Sequence, residues 1–398
     1  MKPMKKLTAL GLSACAGPGG ASSHSAPRQD FTSVPPGAGS TQEGAPAQAM
    51  RYRSMWFSYL EWPMLDTSSA EAFTASVDTV LDHCVSLGLN CITVQVRPFA
   101  DATYESGLFP WSHVVTGTQG QAPGFDPLEI FIARAHEKGL AFEAWVNPYR
   151  VRLNETRPPN VAENSLENTH PEWVKQAAGG AYLEPSNPDV QAYICKGVEE
   201  IVKNYAVDGI QFDDYFYPFN VNSTDVTLDQ AAYQQSGSTL SIGAWRTQNI
   251  NSLVSSVYKM IKETKPNVVF GISPQGNITN DLNAGADVYT WCSQPGYIDY
   301  ICPQIYWTYD HPTAPFETLA KKWKSLVTAD NVKMYIGLAL YKAGTDSNGW
   351  EKADNIIAQQ IQTTRSLDCD GFMLYSWAYL DNPQTAKEMA NVKKLLNG

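Results

Sequence analysis

The sequence predicts an α/β fold, a (β/α)8 TIM barrel with long strand-to-helix loops, on three observations. From residue 51 onward, short strand-like runs alternate with helical ones eight times, the pattern of a parallel sheet built from crossover units. The helix-to-strand connections are tight: Gly88-Leu89-Asn90, Gly139, Ala206-Val207-Asp208, Pro266-Asn267 and 368–370. The strand-to-helix connections are long, at roughly 98–126, 148–189 and 216–242, and in a barrel all of these emerge at the C-terminal face. An open doubly wound sheet is the competing architecture, but the strand after the first helix carries no Gly-rich phosphate loop. No self-similar period points to a solenoid.

The first strand is expected at 54–60 and leads to a helix over 70–87. The second, 91–97, ends in Gln95-Val96-Arg97 with Asp101 on the following loop, and a helix over 127–138 comes next. In the third, 141–147, the period of two sets Glu143, Trp145 and Asn147 on one side. A helix over 190–205 precedes the fourth strand, 209–215, and one over 243–265 precedes the fifth, 268–273. After the fifth the periodicity is weak, with a helix expected around 283–292. The sixth strand, 300–307, carries Gln304, Tyr306 and Trp307 near its end and is followed by a helix over 316–328. A strand at 334–340, a helix over 350–367, a strand at 371–377 and a helix over 386–396 close the barrel.

With 398 residues, 43% hydrophobic and 17% charged, residues 51–398 suffice for one large domain. A net charge of −11 argues against a general affinity for nucleic acid or anionic membranes. Lys2, Lys5 and Lys6 precede an apolar run over 7–14 that is too short to span a bilayer. It ends in Leu12-Ser13-Ala14-Cys15, which resembles the lipobox of bacterial lipoproteins. That resemblance implies a signal segment 1–15, lipidation at Cys15 and an extracytoplasmic protein whose contact with the membrane is the lipid anchor. Residues 16–50, rich in Gly, Ser, Ala and Pro, read as a disordered tether. Cys84, Cys91, Cys195, Cys292, Cys302 and Cys369 form no Cys-x-x-Cys pair, and most lie in apolar periodic segments, so buried free thiols are expected. The six histidines are scattered singly; no metal site and no cofactor is predicted.

The stretch Asp208-Gly209-Ile210-Gln211-Phe212-Asp213-Asp214-Tyr215-Phe216-Tyr217-Pro218 is the most informative. Ile210 and Phe212 point one way and Gln211, Asp213 and Tyr215 the other, so packing of the first pair on helices turns Asp213 to the barrel mouth. Asp213 and Asp214 could merely cap a turn or pair with a base. Two carboxylates at a strand end, among amides and indoles, instead suit glycoside hydrolysis, which uses one acid to protonate the leaving oxygen and a second carboxylate opposite it. Asp213 is the first candidate, with Asp214 beside it and Asp101 as a second carboxylate; Glu61 is a further option. Glu143 sits deeper, where a buried ion pair with Arg97 is its bland reading. Candidate substrate contacts are Arg97, Asn147, Tyr215, Gln304, Tyr306, Trp307 and Trp377; Trp56 and Trp145 suit the cleft floor. Gly-x-Ser-x-Gly is absent, and no Ser or Cys nucleophile with a supporting His is evident.

Several of these pieces recur together: Val96-Arg97-Pro98 with Asp101-Ala102, Pro110-Trp111-Ser112, Asp126-Pro127-Leu128, the 144–150 run, the 208–218 run, Ile272-Ser273-Pro274 and Pro303-Gln304-Ile305-Tyr306-Trp307. In that order the chain resembles the family-10-like glycosyl hydrolases, a bacterial TIM-barrel group, over nearly all of 51–390. The resemblance implies a cell-envelope glycosidase acting on peptidoglycan glycan strands stripped of their peptides, with Asp213 or Asp214 catalytic. The chain departs from the pattern at Phe142-Glu143-Ala144, an acid where a His-like or other polar group is expected, and at Gln275-Gly276-Asn277. A barrel that binds a glycan without cleaving it is the alternative.

Overall fold

The computed structural model describes residues 52–154, 161–224, 228–345 and 348–397. The lipobox with Cys15 and the 16–50 tether lie outside the described residues. Eight parallel strands close into a barrel: β1 Tyr52–Phe57, β2 Cys91–Arg97, β3 Ala141–Val146, β4 Gly209–Phe212, β5 Val269–Ile272, β6 Tyr300–Ile301, β7 Lys333–Leu338 and β8 Gly371–Tyr375, with β8 pairing back onto β1. Around them run α1 Ala70–Leu87, α2 Pro127–Glu137, α3 Pro188–Asn204, α4 Ile242–Thr264, α5 Phe316–Leu326, α6 Ile356–Ser366 and α7 Ala386–Asn397. Their starts follow from local chemistry. Ser69, Asp126, Asn187 and Ser241 each accept a backbone N–H of the first turn, and Pro127 and Pro188 open α2 and α3 where no N–H is needed. Gly88 ends α1 at φ 85°, the left-handed conformation that favours glycine.

The period of two sorts each strand between two cores. Ile210 and Phe212 of β4 join the large shell between barrel and helices, while Tyr52, Trp56, Trp145, Tyr300 and Met373 fill the interior. Gly271 of β5 faces inward because the Tyr300 ring occupies the space a Cβ would need.

Three expectations change in extent. The sixth strand pairs as a ladder only at Tyr300–Ile301 and continues as single bridges from Gln304 to Gln275 and Gly337, since Pro303 offers no N–H. The 283–292 helix is two short ones, Ile278–Asn283 and Val288–Ser293, divided at Gly285 with φ 81°. The 350–367 helix begins at Ile356. The loop after β3 also holds structure of its own: strands Arg150–Arg152, Val174–Ala177 and Gly180–Leu183 form an antiparallel sheet with the last in the middle. The six described cysteines are free thiols, five of them buried.

Candidate active site

The first residues beyond β4 are Asp213 and Asp214, which are 2% and 8% exposed. Asp213 continues the inward parity of Gln211. Trp145 Nε1 donates to its Oδ2 at 2.8 Å, Asn147 Nδ2 to its Oδ1 at 3.3 Å and the Tyr215 backbone N–H to Oδ1 at 3.4 Å. Three N–H groups converging on one carboxyl suit its ionised form. Asn147 is itself held rigid, its Oδ1 accepting the N–H groups of Tyr149 and Arg150 at 3.2 Å each.

Asp214 lies in a different environment. Burial, with the charge of Asp213 second, pushes its carboxyl up to about 7. The Gln304 amide, which donates to Oδ1 at 3.1 Å, and the Arg150 guanidinium act the other way. Gln304 is oriented by a second bond, Nε2 to the Ser273 carbonyl at 3.1 Å, so the ends of β5 and β6 together aim it at Asp214. A glycosidase divides its work between a proton donor and a second carboxyl, and the different surroundings of Asp213 and Asp214 suit such a division. Asp281, on the helix after β5, is a further buried acid; burial first, and Asp214 in part, raise it well above the usual carboxylate range. No motif flagged it.

Among the candidate contacts, the structure brings Asn147, Tyr215 and Gln304 to the pair. Arg150 lies over the Tyr215 ring, 4.4 Å from its centroid. Tyr306 stacks on Tyr375 with ring centroids 6.1 Å apart and meets Tyr341 edge-on at 5.9 Å, so three tyrosines wall the β6–β8 side. Trp307, half-buried, lies against Gly276, where a side chain would collide with its ring. Tyr341 and Tyr375 were missed. The inward parity of Met373 could have found Tyr375, whereas Tyr341 lies on a 3-10 turn past β7, where strand parity no longer applies.

Four acidic or basic candidates and one indole go elsewhere. Arg97 turns into the helix layer: it lies 4.2 Å over the Phe109 ring and fills the space beside Gly197 of α3. The cause is a bulge in β2 between Gln95 and Arg97, so that Arg97 pairs with outward-facing Val146. Asp101 is fully buried in its own loop, near Gln119 Nε2 at 3.3 Å and His113 Nδ1 at 3.5 Å. Glu61 joins the ends of β1 and β8, accepting from Ser58 N at 2.6 Å, Ala378 N at 3.2 Å and the hydroxyls of Ser58 and Ser376. Glu143 is deep in the barrel beneath the pair and accepts from Tyr300 Oη at 2.7 Å and Thr93 Oγ1 at 3.4 Å, not from Arg97. Trp377 stacks on His83 of α1 at 6.0 Å and tilts onto Phe57, away from the barrel mouth. Among the described residues, no group of three His, Cys, Asp or Glu could hold a metal ion.

The chain is 36% identical over 360 residues to glycosyl hydrolase YngK of Bacillus subtilis, covering 84% of this chain and 70% of that protein. It is 33% identical over 399 residues to glycosyl hydrolase DigH of Escherichia coli K12, covering 90% of each. The PgaB (BpsB) glycoside hydrolase domain of Bordetella bronchiseptica shares the fold, at a TM-score of 0.54 and 14% identity over 85% of this chain and 98% of that domain. Residues 52–353 match the family described as glycosyl hydrolase-like 10, and the chain belongs to that family.

Proposed function

We propose that the protein is an extracytoplasmic glycoside hydrolase acting on a linear glycan, and that its substrate is peptidoglycan glycan strands stripped of stem peptides. The observation that carries the reading is the carboxyl pair at the end of β4, one member pushed up to about 7 by burial and its neighbour's charge, the other receiving three N–H bonds. In this mechanism Asp214 donates its proton to the leaving glycosidic oxygen as the bond to C1 breaks. Asp213, fixed by Trp145 and Asn147, stabilises the oxocarbenium-like centre that develops there; water then forms the new bond to C1 and gives its proton to the Asp214 carboxylate, which restores the acid. The tyrosine wall offers faces for sugar rings, and its neutrality suits a polyhydroxylated ligand. The lipobox resemblance at Cys15 supports the location and a lipid anchor.

The test is incubation of the full chain with peptidoglycan strands, with and without stem peptides, and identification of products by mass spectrometry. Cleavage of the stripped strands is expected. Asp214→Asn should lower kcat by about 10²–10⁴, the range for losing a general acid, with the strands still bound. Binding with no product from any glycan would overturn the hydrolase reading in favour of a glycan-binding barrel.

A further inference from the structure

Lys342 stands on the 3-10 turn Leu340–Lys342 that follows β7. Its Nζ donates to the Tyr306 carbonyl at 2.8 Å and lies 5.6 Å from the centroid of the Tyr341 ring. Tyr306 is two residues beyond Gln304, the amide that holds Asp214, so this ammonium borders the tyrosine wall of the candidate site. Half-buried Lys138, Lys175 and Lys262 each meet a carboxylate: Asp82 at 2.6 Å, Glu184 at 3.3 Å and Asp299 at 2.6 Å. Lys342 pairs with no carboxylate among the described residues, and burial lowers its pKa. Lys265 and Lys324, also half-buried, likewise donate to carbonyls, those of Lys203, Tyr205 and Asp368, but at the helix-to-strand side of the barrel, whereas Lys342 borders the candidate site. Burying a charge without a counter-charge is unfavourable, and a ligand group is the natural partner.

We infer that Lys342 receives a sugar carboxylate of the bound glycan, on the part of the site walled by Tyr306, Tyr341 and Tyr375; this rests on the glycan-strand reading above. A single ammonium already bonded to one carbonyl matches a monoanion. A phosphate monoester, with nearly two charges, would face more repulsion beside Asp213 and Asp214 than one lysine offsets. In a stripped peptidoglycan strand the lactyl carboxylate is free. In a substituted strand the same carbonyl is a neutral amide carrying a peptide, which forms no such pair. Lys342 would therefore make the enzyme read whether the strand has been stripped.

The test compares stripped strands with the same strands after carbodiimide coupling to ammonia, which turns each carboxylate into a primary amide. Full-length protein and its Lys342→Met and Lys342→Arg variants are assayed on both. Amidation should lower kcat/KM of the unmodified protein about tenfold or more, chiefly through KM, as expected for one charge-assisted hydrogen bond. Lys342→Met should show that loss already on stripped strands and lose little further on amidated ones, while Lys342→Arg keeps most of the preference. Equal activity of Lys342→Met and the unmodified protein on stripped strands, or an equal penalty for amidation in both, would overturn the inference and leave Lys342 as a cap on the Tyr306 carbonyl. The same ratio read as binding affinity in Asp214→Asn protein separates failure of this inference from failure of the hydrolase reading, because it needs no turnover.

Discussion

One amide sets the titration range of Asp214. The Gln304 N–H favours the charged carboxylate, opposing burial and Asp213, so its removal moves the acid's pKa further up. Gln304→Met should therefore shift the alkaline limb of the pH–kcat profile, near 7 in the unmodified protein, upward by as much as about one unit. An unmoved limb would mean that another group is the acid. On the other carboxylate, Trp145→Phe removes the N–H that reaches Asp213 Oδ2 at 2.8 Å and keeps most of the ring. A fall in kcat of about tenfold with little change in KM is the expected outcome, since the bond holds Asp213 in place against the charge that develops on the sugar. An unchanged kcat would count against Asp213 as the stabilising group. At this scale the sequence was legible where strand parity holds: Asp213 and Asn147 directly follow β4 and β3, and Gln304 keeps the parity of Tyr300 although its strand is reduced to single bridges. It misled at Arg97 because one extra residue in β2 turns that side chain outward, and a bulge leaves no mark in the alternation of residue types.

Among the elements, the long loops are where sequence reading is thinnest. Eight strands and most helices were legible because apolar strand runs alternate with helical ones in a fixed order, which marks even the short β4, β5 and β6. The antiparallel sheet after β3 has strands of three or four residues that stand outside that strand-helix order, and it holds Arg150 near the pair. The loop between β4 and α4 is fixed in another unmarked way. Arg246 of α4 and Asp229 are both fully buried; Nη2 donates to Oδ1 at 2.7 Å, Nε reaches both carboxylate oxygens, and Nη1 donates to the Val221 and Ser223 carbonyls. Tyr217 Oη donates to the same Asp229 at 2.9 Å. Asp229→Ala would leave the guanidinium buried without its counter-charge, and a loss of about 3–5 kcal/mol in urea-induced unfolding is expected. A loss below about 1 kcal/mol would instead put the pair on the level of an exposed salt bridge.

For the molecule as a whole, the distinctive property is a polar barrel interior. Gln211 accepts from Trp56 Nε1 at 2.6 Å and donates to Tyr300 Oη at 2.9 Å, and that hydroxyl donates to Glu143. This column runs beneath Asp213 and ties β4 to β1, β3 and β6, yet it contains an acid with no base. With Arg97 turned outward by the bulge, Glu143 is surrounded by hydroxyls, and burial pushes its carboxyl from 4.5 up to about 7. Between those two values the folded chain holds more protons than the unfolded chain. Stability is therefore full below the window, falls as pH rises through it, and stays lower above it by at most about 3 kcal/mol from this group. Glu143→Gln keeps an acceptor for the Tyr300 hydroxyl but cannot ionise. Its unfolding free energy should be no greater than that of the unmodified protein at about pH 5 and greater at about pH 8, measured by urea denaturation at both. Identical pH slopes in the two proteins would move the effect to other buried acids, such as Glu200 and Glu388, both also raised to about 7. A flattened slope would mean that the ionised form of Glu143 strains the barrel directly beneath the carboxyl pair, and that the upper pH limit of the fold and that of the proton on Asp214 fall in the same range.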